Sequence, residues 1–415
     1  MKIAIVGTGI AGLAAAHRLQ RDHELTLFEA GDYPGGHTAT VDVEVEGRRF
    51  AVDTGFIVFN ERNYPLFTEL LRELGVACQD SCMSFSARCE QANVEYAGTP
   101  ATLFAQRRNL LRPGFWRMVR DIRRFYRDAR ALLEPEAPDV SLGELLSERR
   151  YSREFVDWHL VPMVAAVWSA GPRGALDMPA RFLVRFFANH GFLDLRGRPR
   201  WRAVRGGSRE YVRRLLAPLR GRLRLNTPVV GVRRTGQGVE LRTAAGEVAI
   251  FDRVVLATHG DQALQLLADP TPAEREVLGA FETQANDVAL HTDPSLMPRR
   301  RRAWASWNVH VGGGESHLCA TYWMNRLQAL DSDIPIFVSL NATDRIDSDR
   351  VLRRFSYRHP LFTRRSVAAQ ARHAEIDGVH GVHFAGAYWG NGFHEDGVFS
   401  AQRVCERIHR EAVAA

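Results

Sequence analysis

Lysine is almost absent from this 415-residue chain: Lys2 is the only one among 55 basic residues, so the rest of the positive charge is arginine. Cysteine is scarce as well. The five thiols, at 78, 82, 89, 319 and 405, are odd in number, contain no CxxC pair and show no metal-ligand spacing beside paired histidines. That excludes a disulfide framework and a structural metal, and it predicts a reduced, cytoplasmic protein. There is no run of about 18 uncharged apolar residues, so no segment reads as crossing a bilayer. Internal repeats and low-complexity tracts are also missing. The formal charge of +7 suits either an anionic partner or a well-solvated surface. No helix-turn-helix, zinc-ligand or RNP pattern accompanies it, and nucleic acid is not expected.

What is present begins at the first residues. A charged start, an apolar run and small residues in IAIVGTGIAGLAAA imitate a secretory signal, but the glycines are spaced for another purpose. Residues 2–6 read as a buried strand, 7–12 as a tight turn, 11–21 as a helix and 24–29 as a second strand. Gly7-Thr8-Gly9-Ile10-Ala11-Gly12 is therefore GxGxxG between a strand and a helix, the context that makes it a dinucleotide fingerprint. Gly7 permits the turn, Gly9 lets a pyrophosphate approach the backbone, and Gly12 lets helix and strand pack closely. The helix N-terminus, with Ile10 and Ala11, faces the phosphates. Glu29 ends the second strand, where an acidic side chain holds ribose hydroxyls, with Ala30 beside it.

The remainder divides by pattern. Alternating segments occupy 40–52, and a helix is expected near 64–74. The stretch 101–195 is helical and rich in arginine and aromatics. Strand patterns return at 222–256 as a meander and again at 281–343; residues 382–412 supply a last strand, a glycine-rich turn and a helix. This predicts an α/β fold in which a discontinuous Rossmann-like lobe (1–95, 201–275 and 376–415) carries an inserted α+β substrate lobe (96–200 and 276–375). No second GxGxxG follows a strand, and Gly312-Gly313-Gly314 lacks flanking β-α-β signals, so a separate NAD(P)H domain is not expected.

Tyr33-Pro34-Gly35-Gly36-His37-Thr38-Ala39-Thr40 and the C-terminal His383–Gly397 segment resemble signatures of the flavin amine oxidase and phytoene desaturase superfamily. The resemblance implies an amine-oxidase-like fold and non-covalent FAD, since no cysteine lies in the C-terminal signature. It also implies further cofactor contacts. Gly35, Gly36, His37 and Thr38 would line the diphosphate, with His37 standing where arginine is usual. Thr54 and Gly55 match the next element, and Val229 or Val230 would offer backbone to adenine. Ala257 and Thr258 close the returning strand, and Gly206-Gly207 resembles an internal GG element. Gly386, Glu395, Asp396, Gly397 and Val398 would surround the flavin ring, with a helix dipole aimed at its pyrimidine edge.

The GGHTATV and YWGNGFHEDG segments further resemble bacterial FAD-binding proteins related to desaturases of furan-fatty-acid biosynthesis. This implies desaturation of a methyl-branched acyl chain of membrane phospholipid, with hydride transfer to flavin N5. Oxidation of an amine or polyene and redox-neutral isomerisation are the alternatives. His37, Tyr388 and His394 are the candidate catalytic groups, and His310 is a weaker one. Residues 104–133 hold nine arginines against two aspartates and read as a basic amphipathic helix suited to an anionic membrane, or else as a solvated cap helix. Arg299–Arg302 with Trp304 and Trp307 repeats the combination. Peripheral attachment to the inner face of the cell membrane follows as the expectation; oligomeric state is left open.

Overall fold

The computed structural model describes residues 1–194, 197–312 and 318–414, so Gly313 and Gly314 of the glycine run lie outside the described residues. Strand β1 (Lys2–Val6) buries four consecutive residues, Ile3 to Val6. A strand covered on both faces belongs in a parallel sheet. It is the central strand of five, in the order Val382–Phe384, Arg253–Leu256, β1, β2 (Glu24–Phe28) and Leu223–Arg224. Every pairing is parallel. Helix α1 (Ile10–Leu19) connects β1 to β2 and presents Ala11, Ala14 and Ala15, small enough for the C-terminal helix His394–Ala414 to pack close beside it. An antiparallel meander, Val229–Thr235, Gly238–Thr243 and Val248–Phe251, shares a second core with the sheet. The lobe is Rossmann-like and discontinuous.

A seven-stranded sheet forms the second lobe, in the order Val351–Leu361, Glu282–His291, Phe337–Leu340, Leu318–Trp323, Trp307–Val311, Phe85–Cys89 and Val94–Ala97. The chain enters this sheet at Phe85, ahead of the boundary expected at residue 95. Phe85–Cys89 pairs in parallel with Trp307–Val311, a partner more than two hundred residues downstream, and local pattern carries no trace of so distant a pairing. Helices between Pro113 and Asn189 cover the sheet, and Tyr322 in the sheet donates its hydroxyl proton to the Ala166 carbonyl in that layer (3.0 Å).

The basic segment is not one amphipathic helix over 104–133. It is a 3-10 turn at Arg107–Leu111, a helix at Pro113–Asp128 and a second 3-10 turn at Ala129–Leu133. The helix spends its apolar stripe internally: Phe115 and Met118 pack on Ala87, Cys89 and Tyr96, and Phe125 joins the helical core. Arg124 donates to the Arg149 carbonyl (2.6 Å) and lies 4.5 Å over the Tyr151 ring. The apolar stripe from Phe115 to Phe125 is therefore turned inward as a cap on the sheet. No helix among the described residues is long and apolar enough to cross a membrane.

The two lobes meet at Asp53, the last residue of the hairpin Thr40–Val45/Arg48–Asp53. Its buried carboxylate accepts from Thr40 Oγ1 (2.6 Å), Ser208 N (2.9 Å), Ser208 Oγ (2.8 Å) and Gln328 Nε2 (3.0 Å). Burial pushes its pKa up to about 6, against the pull of these donors. Gly207, at φ +91°, brings Ser208 into reach; a Cβ there would sit 2.4 Å from Thr40 Cγ2. Asp53→Ala leaves several buried donors without an acceptor, so it should lower unfolding free energy by about 3 kcal/mol, measured by urea denaturation of the holoprotein.

Candidate active site

The carboxyl ends of β1, β2 and Arg253–Leu256 open on a cleft with about 1930 Å³ of empty space. Its floor is the glycine turn. Gly7 has φ +100°, and a Cβ on it would press to 2.7 Å from the Ala257 carbonyl; a Cβ on Gly12 would reach 2.0 Å from the Gly7 carbonyl. Gly9 is different, because a Cβ there meets nothing within 4 Å. Gly12 thus serves helix–strand packing, whereas Gly9 bares its backbone to the cleft. Thr8 is fully buried. Its amide and hydroxyl both donate to Glu29 Oε2, and the Gly31 amide donates to Oε1 (3.0 Å), fixing the carboxylate at the cleft edge. The Gly35 amide in turn donates to Thr8 Oγ1 (3.3 Å). Gly36, at φ +57°, lies so close that a Cβ would stand 3.2 Å from Gly9 Cα.

These features suit FAD: a backbone cradle without side chains, a helix N-terminus beside it, and a fixed carboxylate at the end of the second strand. Ile10, Ala11, Ala30, Val229, Thr258 and Gly386 complete the lining. Two buried polar atoms in the wall, His37 Nε2 and Tyr388 Oη, have no hydrogen-bond partner within the protein. Arg358 is the one guanidinium lining the cleft among the described residues; sequence reasoning missed it, and it donates to Thr283 Oγ1 (2.8 Å) and pairs with Asp261 (3.4 Å).

Several expected cofactor contacts stand elsewhere. Glu395 accepts from the Leu66 and Phe67 amides (3.0 and 2.9 Å), so its carboxylate anchors the start of the helix Pro65–Glu73. Asp396 accepts from the Phe393 amide (2.9 Å) and holds the turn before the last helix. A Cβ on Gly397 would meet Ile10 Cγ2 at 2.7 Å, and Val398 is in the core, so both serve helix contact. Of Val229 and Val230, only the first lines the cleft; Val230 is half exposed. Thr38 bonds to the Tyr211 hydroxyl behind the wall. Thr54 and Gly55 line the adjoining pocket.

That pocket has about 1110 Å³ of empty space, part of it open to solvent, and shares His37, Tyr357, His359, Pro360, Gly392, Phe393 and His394 with the cleft. Phe56, Val58, Trp168, Phe186, Trp201 and Leu340 are among its walls. Among the described residues no arginine, lysine or carboxylate lines it. The histidines do not supply charge either. Burial lowers His37 to about 3, helped by His359 and His259, and lowers His190 and His359 to about 4. All are neutral at pH 7.

The three candidate catalytic groups differ in availability. His394 already engages Tyr211 Oη (2.6 Å) and Thr38 Oγ1 (3.2 Å) through Nε2, and its ring stacks on Phe56 at 3.5 Å. Tyr388 is wedged against Phe281 and Trp389, and burial pushes its pKa up, so it stays protonated. His37 keeps an unpartnered nitrogen and lines both spaces. His310 lies far off on the second lobe beside Glu90 and Arg345. Tyr357 and His359, missed from sequence, lie two apart on Val351–Leu361 and line both the cleft and the adjoining pocket.

Over residues 10–328 the chain matches the family described as flavin containing amine oxidoreductase. A Mycobacterium tuberculosis protein provisionally designated a flavin-containing monoamine oxidase is 24% identical over 370 residues, covering 85% of this chain and 73% of that protein. Cyclohexylamine oxidase from Brevibacterium oxydans shares the fold with a TM-score of 0.73 at 16% identity, covering 99% of both chains. A fatty acid isomerase from P. acnes that produces CLA does so with 0.68 at 14% identity over 98% of both.

Gly9 and Gly12 should separate cofactor binding from folding. Gly9→Ala should fold with an unchanged melting temperature as apoprotein yet carry substoichiometric FAD by its visible absorbance. Gly12→Ala should lose about 3 kcal/mol of stability through overpacking.

Proposed function

Because the chain belongs to the flavin-containing amine oxidoreductase family and is an FAD-dependent oxidoreductase, we propose that it dehydrogenates a fatty-acyl chain, methyl-branched and lipid-borne, at adjacent carbons. The observation that carries this reading is the uncharged pocket of about 1110 Å³ joined to the flavin cleft. Burying an ion there without a partner is strongly unfavourable, whereas aromatic and aliphatic walls favour hydrocarbon by roughly 25 cal/mol per Å² covered. FAD, when bound, supplies the two-electron acceptor: a hydride leaves one carbon, a proton leaves its neighbour, and the bond between them becomes double.

The protein's own residues account for the rest. Phe393 and Tyr357, at the junction of cleft and pocket, orient the chain against the flavin face. Neutral His37, with a free Nε2 in the shared wall, takes the proton. The aromatic walls exclude water. A second reading, oxidation of an apolar amine in its neutral form, is favoured by the same aromatic junction.

Anaerobic mixing of holoenzyme with methyl-branched acyl phospholipid in detergent, or with a matched alkylamine, separates the two. Flavin bleaching by the acyl substrate is expected, and Ala166→Asp, which places a carboxylate in the wall, should abolish it. Bleaching by the amine alone sinks the acyl reading. His37→Gln should slow bleaching by about 100-fold, the lower range for loss of a general base, while retaining FAD.

A further inference from the structure

Outside the cleft, the most exposed leucine of the described surface stands among arginines. Leu111 is 88% exposed, and Leu110 and Trp116 are about half exposed, at 49% and 47%. They are held rigidly. Trp116 Nε1 donates to the Leu110 carbonyl (2.9 Å), and its ring packs 5.4 Å from Phe104. Arg108 and Arg112 donate to the carbonyls of Asn93 (3.2 Å) and Ala92 (2.7 Å), clamping the segment to the turn after Phe85–Cys89.

One buried residue joins this tip to the second basic stretch. The Glu95 amide donates to Gln106 Oε1 (2.9 Å), and its carbonyl accepts from Asn109 Nδ2 (3.1 Å). Its carboxylate accepts from the amides of Arg299 (3.0 Å) and Arg300 (3.2 Å). Arg107, Arg108 and Arg112 thus flank the exposed leucines along the chain, and Glu95 ties the Arg299–Arg302 stretch, whose Arg301 stacks on Trp304, to the same element. Of these only Arg300 makes an ion pair, with Glu95, among the described residues.

A second cavity, of about 640 Å³, shares Ser169 and Leu340 with the apolar pocket and reaches Leu318, Asn341 and Gln284. Strand register places it: Cys89 pairs with Val311 and Val311 with Leu318, while Asn341 directly follows Leu340 at the end of its strand. The turn that Arg108 and Arg112 clamp is at this same end of the sheet.

We propose that the Arg107–Trp116 segment is a bilayer-docking element that seats this end of the seven-stranded sheet on an anionic lipid surface. Exposed leucines and a tryptophan enter the acyl boundary while arginines meet phosphate headgroups. The charge decides between occupants: a protein groove would cover the leucines equally well, but arginines of which only one has a carboxylate partner among the described residues call for a densely anionic partner. Docking turns the second cavity toward lipid, so that an acyl chain passes by Ser169 and Leu340 to the flavin junction. It rests on the acyl-chain reading only for what moves through that cavity.

Flotation of full-length holoenzyme with phosphatidylcholine vesicles, with and without phosphatidylglycerol, tests this. Binding is expected only where phosphatidylglycerol is present. Arg107→Ser with Arg108→Ser should reduce partitioning by about 30-fold, and Leu111→Asp should abolish the binding that survives high salt. Arg220→Ser with Arg222→Ser, exposed on the other lobe, should change nothing. All variants should keep FAD and bleach normally with detergent-dispersed substrate, so a failed acyl reading shows in bleaching and a failed docking in flotation. Equal binding to neutral vesicles, or anionic binding unaffected by Leu111→Asp, overturns the proposal.

Discussion

The buried carboxylate of Asp53 ties together three stretches of chain that never neighbour one another in sequence. Thr40 belongs to the hairpin after the glycine-rich turn, Ser208 to the return into the parallel sheet, and Gln328 to the second lobe. Such a group is tolerated only when its oxygens are satisfied, so the geometry around it is narrow. That geometry fixes Thr54 and Gly55 immediately beyond it. A Cβ on Gly55 would lie 2.3 Å from the His37 carbonyl, so the position of the histidine in the shared wall follows from the same joint.

What the sequence revealed follows the range of each interaction. The glycine turn and Glu29 lie within one β-α-β unit, where each residue's duty is set by neighbours a few positions away, and they line the cleft where spacing put them. Glu395 and Asp396 share an equally specific segment, but their partners are the Leu66, Phe67 and Phe393 amides. Type and spacing alone do not distinguish an acid that faces a cofactor from one that caps a helix. Phe85–Cys89 illustrates the limit in the fold: its parallel partner at Trp307–Val311 is too remote for periodicity to reveal.

Desolvation shapes the chemistry as much as contact does. The rings of His259 and His359 lie 5.9 and 5.2 Å from that of His37 across the wall. Each would repel a proton on the others, and burial acts in the same direction. A neutral imidazole with an open nitrogen is a hydrogen-bond acceptor here, and the absence of a resting cation favours hydride loss nearby. The cluster therefore keeps the junction without charge until the reaction creates some.

The distribution of arginine extends this logic over the whole molecule. A chain with 55 basic residues puts none of them in the described walls of its apolar pocket and one in the cleft beside it. The others lie elsewhere: Arg107, Arg108 and Arg112 flank the exposed Leu110 and Leu111, and Arg299 and Arg300 are tied to the Glu95 carboxylate. An interior that rejects ions and a surface that gathers anions make opposite demands on one substrate. On the proposed acyl reading, an amphiphile with an anionic head and a hydrocarbon chain would meet both, with its head among the guanidinium groups and its chain in the pocket.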